Sequence, residues 1–137
     1  MKNILVIDGQ GGRIGALMVA EIKKRFPASE VTAVGTNVLA TGAMLKAGAD
    51  NGATGENPVR VAAKSADVIL GPIGIIVADS LFGEITAGMA AAVGQSHAEK
   101  ILIPINKCQT FVVGVEEHTA GEYVSLAMEK LEEIWKA

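Results

Sequence analysis

Two contrasting hydrophobic patterns follow each other at the start of the chain. Residues 4–7 form an uninterrupted apolar run, which is typical of a strand buried on both faces of a sheet. Apolar side chains then recur at helical spacing up to Pro27, at Ile14, Leu17, Met18, Ile22 and Phe26. This part of the sequence predicts a strand, a turn and an amphipathic helix.

The same alternation continues along the rest of the chain. Short apolar runs predict further strands at residues 31–34, 68–70, 101–105 and 111–115. Helical patterns predict helices at residues 38–47, with Asn37 as N-cap, at residues 86–93, and from the capping box Thr119–Glu122 onwards. Residues 49–57 predict a loop, and residues 58–64 a short helix or an extended segment. Residues 75–78 fit either a strand or a helix.

Strands that alternate with helices and are apolar throughout indicate a parallel sheet covered on both faces. We therefore expect an α/β protein whose residues 1–137 form a single Rossmann-like domain. Its three-layer sandwich would contain a mostly parallel sheet of about five strands, joined by right-handed crossovers. The pattern leaves open whether the strands follow the Rossmann or the flavodoxin-like order.

Composition narrows the class of protein. The net charge is −3 and basic residues are scattered, which argues against a nucleic-acid partner. The longest uncharged apolar stretch, residues 68–78, is too short to cross a bilayer. The single cysteine, Cys108, excludes an internal disulfide and fits a reducing cytoplasm, and no signal-peptide pattern is present. These features predict a cytoplasmic protein. Neither His97 nor His118 has metal-ligand spacing, so we expect no metal site.

The turn after the first strand, "IDGQGGRIG", is the strongest candidate binding site. Its glycines fit G-x-x-G-x-x-G, a variant of the dinucleotide fingerprint that resembles atypical short-chain dehydrogenases. Gly9 would allow a tight turn, Gly11 and Gly12 would expose backbone N–H groups to a phosphate, and Gly15 would let the helix pack closely. The predicted cofactor-binding residues here are Asp8, Gly9, Gln10, Gly11, Gly12, Arg13, Ile14 and Gly15. A Gly12→Asp change is expected to abolish ligand binding without unfolding the protein, and the alternative is a turn that binds nothing.

Small and amide-bearing residues follow the other predicted strands too. Because the carboxyl ends of parallel strands share one edge, we expect these segments to converge there. Thr36 and Asn37 would meet the ribose of a nucleotide or cap the next helix. The crevice would be lined by Gly71, Pro72, Ile73 and Gly74, with Asn106 and Lys107 after the next strand.

Two features of a dehydrogenase are missing from this sequence. The segment after the second strand has no acidic residue for the ribose hydroxyls and no arginine for a 2′-phosphate, so NAD(P) is one possible cofactor among other nucleotides. Tyr123 lacks a lysine four residues on, where Ala127 stands. Four carboxylates, Asp8, Glu56, Asp79 and Glu84, each fit a general acid or base but equally fit a cap or a solvated loop. No catalytic residue is assigned, and whether the protein is an enzyme stays open.

Several segments together carry a resemblance to a known family. "DGQGGRIG", "GTNVLATGAMLKAGA", "ADVILGPIGI" and "KILIPIN" resemble short bacterial, mostly clostridial, Rossmann-like proteins described as a domain of unknown function. The resemblance implies a stand-alone Rossmann-like domain in the cytoplasm of an anaerobe. It implies no reaction, substrate or catalytic residue.

Three functional hypotheses follow. The first is a protein that binds a nucleotide or dinucleotide phosphate at the glycine turn. The second is a module that senses a small anionic metabolite or serves as an adaptor, with residues 49–57 as its recognition surface. The third is a small enzyme acting on a phosphorylated metabolite, with Asp8 or Glu56 as base. The small residues of the predicted helix 86–93 suit packing in the core or against a second subunit, and we expect a homodimer.

Overall fold

A computed structural model describes residues 2–105 and 109–136. Five strands build its sheet: β1 (Asn3–Asp8), β2 (Glu30–Gly35), β3 (Asn51–Thr54), β4 (Val68–Pro72) and β5 (Glu99–Ile103). The helices of this part of the chain are α1 (Arg13–Arg25), α2 (Val38–Lys46), α3 (Glu56–Ser65), α4 (Ala87–Gln95) and α5 (Ala120–Lys136). A short 3₁₀ turn, Ile73–Ile76, follows β4, so the ambiguous segment at residues 75–78 is neither a strand nor an α-helix.

All neighbouring strands are parallel, in the order β3-β2-β1-β4-β5. This is the Rossmann order, which decides the question that the sequence left open. The chain moves outward from β1 to β3 and then returns to the other side of β1 with β4. The order therefore reverses between β1 and β4, and a crevice forms there at the carboxyl edge of the sheet.

The central strand β1 explains why its sequence is apolar at every position. Ile4 and Val6 pack with α1 and α5 on one face of the sheet, whereas Leu5 and Ile7 pack with α3 and α4 on the other. Successive side chains of a strand point to opposite faces, so a strand covered on both sides needs an unbroken apolar run. Full burial of each such side chain contributes roughly 1.5–3 kcal/mol.

The helix starts confirm two predicted caps. Asn37 Oδ1 accepts a hydrogen bond from Ala40 N at 2.9 Å and caps α2. At α5, Thr119 and Glu122 exchange two hydrogen bonds, as a capping box does. Among the helices that the structure describes, none combines the length and apolar character of a membrane span.

Strand β3 lies inside the segment predicted as a loop, so that prediction is wrong for residues 51–54. The strand is polar and mostly exposed, which removes the hydrophobic pattern that marks the other strands. It forms the edge of the sheet by pairing Thr32 with Asn51. Asp50 fixes the start, because its Oδ2 accepts a hydrogen bond from Val31 N at 2.8 Å. The proposed recognition loop 49–57 thus contains an edge strand and the start of α3.

The strand predicted at residues 111–115 is also wrong, because this segment is irregular, with a turn at residues 113–114. Phe111 and Val113 are 87% and 97% exposed, and Gly114 has a φ of 87° that bends the backbone. Aromatic and β-branched residues favour strands only where a neighbouring strand and a buried face are available.

Candidate functional site

The glycine turn between β1 and α1 is built as a tight backbone loop. Gln10 has a φ of 50° and Gly12 a φ of 71°, in the left-handed region that favours glycine. A Cβ on Gly12 would lie 2.8 Å from Ala40 Cα, and one on Gly15 would lie 2.6 Å from Met44 Sδ. Gly12 and Gly15 are therefore small because α1 and α2 cross closely at this point.

The buried carboxylate of Asp8 links the two ends of the turn by hydrogen bonds. Its Oδ1 accepts a hydrogen bond from Gly9 N at 2.8 Å, and its Oδ2 accepts one from Gly15 N at 2.7 Å. The side chain is buried, and burial raises the pKa of this carboxyl although the two hydrogen bonds lower it. The negative charge of Glu84 raises the pKa of Asp8 further.

A cavity of about 370 Å³ lies beside the turn at the carboxyl edge of the sheet. Its walls come from the turn, the first two turns of α1, the segment after β5 and the start of α5. The lining residues are Asp8, Gln10, Gly11, Arg13, Ile14, Leu17, Ile105 and Ala120. This volume lies within the range of small-molecule sites, roughly 300–1,000 Å³.

Three residues that line this cavity have backbone N–H groups available for hydrogen bonding. Within residues 2–105 and 109–136, the N–H groups of Gly11, Arg13 and Ile14 have no hydrogen-bond acceptor. They belong to the positive end of the α1 dipole. The Arg13 side chain is exposed and forms no ion pair within the same ranges. Donors, dipole and guanidinium together favour an anion.

On the other side of the turn, a carboxylate joins the ends of β1 and β2. Glu84 Oε1 accepts hydrogen bonds from Gln10 N at 2.8 Å, from Asn37 Nδ2 at 3.1 Å and from the hydroxyl of Thr36. Partial burial opposes ionisation of Glu84, but these three hydrogen bonds outweigh it and lower its pKa. Glu84 thus places an ionised carboxylate beside the end of β2, where the residues that follow the strand, Thr36 and Asn37, are not acidic.

In the sequence, Glu84 is only one of four isolated loop carboxylates. Its partners Gln10 and Thr36 are 74 and 48 residues away along the chain, so no spacing rule links them. Thr36 and Asn37 do lie at the predicted edge, but they do not line the cavity. Asn37 caps α2, and both side chains hold Glu84.

The four residues predicted to line the crevice lie at the end of β4 and in the 3₁₀ turn that follows it. A Cβ on Gly71 would lie 2.5 Å from Ile7 O, because β4 packs closely against β1. Pro72 ends β4, while Ile73 and Gly74 begin the 3₁₀ turn, and Gly74 O accepts a hydrogen bond from Ser80 Oγ. None of the four lines the cavity described above. Asn106 and Lys107, predicted at the same edge, and Cys108 lie outside the described residues.

The other candidate acid, Glu56, has a local structural task. Its Oε1 accepts a hydrogen bond from the hydroxyl of Thr86, the N-cap of α4, and its Oε2 pairs with Arg60 at 3.2 Å. These bonds lower the pKa of Glu56, those from Thr86 most. Over the described ranges, no group of three or more histidine, cysteine or acidic residues is placed to hold a metal ion.

The sheet order and the glycine turn define an α/β protein of Rossmann type with a polar edge at its strand ends. The chain belongs to the family described as "Domain of unknown function (DUF3842)", which matches residues 3–136. No curated protein sequence is significantly similar to it.

One solved structure with a similar chain arrangement is a dodecameric FMN-dependent Ubix-like decarboxylase from Escherichia coli O157:H7. It shares 15% sequence identity and a TM-score of 0.45, over 94% of this chain and 76% of that one.

Proposed function

We propose that this protein binds a small phosphate-bearing ligand of the nucleotide class in the cavity beside the glycine turn. The observation that carries the proposal is the set of backbone N–H groups on Gly11, Arg13 and Ile14 that have no acceptor within residues 2–105 and 109–136. A phosphate on these groups would also meet the Arg13 guanidinium.

The position in the fold supports this choice. Ligands of open α/β sheets bind outside the carboxyl ends of the strands, where the strand order reverses. β1 borders that reversal and leads directly into the turn. Ile14, Leu17, Ile105 and Ala120 give the cavity an apolar wall, as small-molecule sites usually have.

The size of the cavity favours one nucleotide unit. About 370 Å³ accommodates a mononucleotide or one half of a dinucleotide, so NAD(P) would have to extend beyond the cavity. Asp8 is the one carboxylic acid among the lining residues, and both of its oxygens already accept backbone hydrogen bonds. This arrangement favours holding a ligand over acid–base chemistry by Asp8.

The test is thermal unfolding in the presence of AMP, GMP, FMN, NAD, NADP and inorganic phosphate. A ligand at about 100 times its Kd adds roughly 2.7 kcal/mol of stability, which shifts Tm by several degrees. Arg13→Ala should reduce the shift, because it removes the guanidinium contact but keeps the backbone N–H groups. Arg25→Ala is the matched control, because Arg25 is an exposed residue at the far end of α1 that pairs with Glu21. Absence of a shift with every ligand, or an equal shift in Arg13→Ala, would overturn the proposal.

A further inference from the structure

The Glu84 carboxylate is asymmetric in its contacts. Its Oε1 accepts three hydrogen bonds, from Gln10 N, Thr36 Oγ1 and Asn37 Nδ2. Its Oε2 accepts none from residues 2–105 and 109–136. One oxygen therefore anchors the side chain, and the other keeps its full capacity to accept hydrogen bonds from a ligand.

The location of this carboxylate matches a known requirement of nucleotide sites in the Rossmann fold. A conserved acid at the end of the second strand accepts hydrogen bonds from the ribose hydroxyls there. In this chain β2 ends in Gly35 and is followed by Thr36 and Asn37, neither of which is acidic. Glu84 reaches the same position from the loop between β4 and α4, on the far side of the reversal in strand order.

The loop that carries Glu84 is anchored on both sides of this residue. Leu81 is 3% exposed and Ile85 is fully buried, and both belong to the core beneath α3 and α4. Ser80 Oγ donates to Gly74 O, and Asp79 N donates to Ile85 O at 2.7 Å. Leu81 and Ile85 thus hold the backbone of this loop in the core, and the three hydrogen bonds to Oε1 hold the carboxylate at the edge of the sheet.

We propose that Glu84 accepts hydrogen bonds from the vicinal hydroxyls of a ribose, and so selects ribonucleotides over 2′-deoxyribonucleotides. This inference deepens the proposed function and rests on it. Gln10 connects the two parts of the site, because it lines the cavity while its N–H donates to Glu84. A nucleotide with its phosphate at Gly11 and Arg13 would carry its ribose towards Gln10 and Glu84. The lowered pKa of Glu84 keeps the carboxylate ionised for this task.

The experiment compares four ribonucleoside monophosphates with their 2′-deoxy counterparts by titration calorimetry. In the unmodified protein, the best ribonucleotide should bind about ten- to a hundredfold more tightly than its deoxy partner, as expected for a hydrogen bond to a charged group. Glu84→Gln should remove most of this ratio. The introduced amide oxygen can still accept from Gln10, Thr36 and Asn37, but the amide nitrogen is then a donor where the ribose needs an acceptor.

Controls separate this inference from the proposed function. Glu129→Gln, an exposed position on α5, should keep the ratio unchanged. Equal affinity for ribo- and deoxyribonucleotides in the unmodified protein, weakened in Arg13→Ala, would overturn the role of Glu84 and leave the phosphate site standing. No binding of any nucleotide would overturn both. Tighter binding by Glu84→Gln would show that the carboxylate blocks the site, which also overturns the inference.

Discussion

Asp8 and Gly15 are joined across the glycine turn, because Gly15 N donates a 2.7 Å hydrogen bond to Asp8 Oδ2. The other carboxylate oxygen accepts from Gly9 N, so one side chain fixes both ends of the turn. The same contact uses one N–H of the α1 start, whereas those of Arg13 and Ile14 have no acceptor within residues 2–105 and 109–136. The Asp8 side chain thus fixes the shape of the turn.

Asp8→Asn should lower the free energy of unfolding by about 1–3 kcal/mol near neutral pH, because one buried backbone N–H would lose its acceptor. Urea denaturation measures this change as a lower midpoint with an unchanged slope. Asp67→Asn is the control, since Asp67 also accepts a backbone hydrogen bond, from Asn3 N at 2.7 Å, but at an exposed position. Equal losses in the two variants would contradict the special role of the buried carboxylate.

Asp8 and Glu84 should make opposite contributions to the pH dependence of stability. The pKa of Glu84 is lowered by folding, so its contribution is present above its ordinary value of 4.5 and is lost as the pH falls. The pKa of Asp8 is raised above 3.8, so its contribution is complete below that pH and declines as the pH rises through the folded-state pKa.

Urea midpoints between about pH 3 and pH 6 test these signs. The stability advantage of the unmodified protein over Glu84→Gln should grow with rising pH, because only the unmodified protein gains the ionised, hydrogen-bonded carboxylate. Its advantage over Asp8→Asn should shrink over the same range. Parallel curves for the unmodified protein and both variants would show that neither carboxyl changes its pKa on folding.

Gly12 and Gly42 should respond oppositely to alanine. Gly12→Ala places a Cβ at a φ of 71° and 2.8 Å from Ala40 Cα, and we expect a loss of several kcal/mol. Gly42→Ala, in α2 with no atom within 4 Å of the added Cβ, should stabilise by up to about 1 kcal/mol. Thermal unfolding of the two variants tests this, and a neutral Gly12→Ala would mean that α1 and α2 separate easily.

The same contact revises one expectation from the sequence. The sequence alone predicts that Gly12→Asp abolishes binding while the protein stays folded, but any side chain at Gly12 meets the backbone of Ala40. A loss of binding in that variant would therefore report on the fold. Arg13, which is exposed at the start of α1, is the better position for a binding test.

The sequence predicts the elements that have a buried face and fails where burial is absent. β1 and α1 are predicted well, because their apolar residues contact the core at the period of a strand and of a helix. β3 has no such period, since Asn51 and Gly52 at the sheet edge are exposed. Phe111 and Val113 have the composition of a strand, but both side chains are largely exposed and neither residue belongs to the sheet.

Part of the candidate site is likewise predictable from the sequence, and part is not. The glycine turn is local, so the residues between Asp8 and Gly15 are recognisable from their spacing. Glu84 is not, because its position depends on how β4 and the following loop return to the end of β2. Only the folded chain brings an acid to Thr36 and Asn37 from 48 and 47 residues away.

Thr36→Val should weaken the hold on Glu84 without disturbing the phosphate side of the site. The substitution removes the hydroxyl that donates to Glu84 Oε1, so the pKa of Glu84 should rise towards its ordinary value. The preference for ribonucleotides over deoxyribonucleotides should fall several-fold, since a loosened carboxylate no longer faces the ribose in one orientation. Affinity for inorganic phosphate should stay the same, because Thr36 does not line the cavity at Arg13. Thr36→Ser, which keeps the hydroxyl, should restore the preference in the same calorimetric titration. Failure of that rescue would mean that the Thr36 methyl group, and not its hydrogen bond, orders this edge of the site.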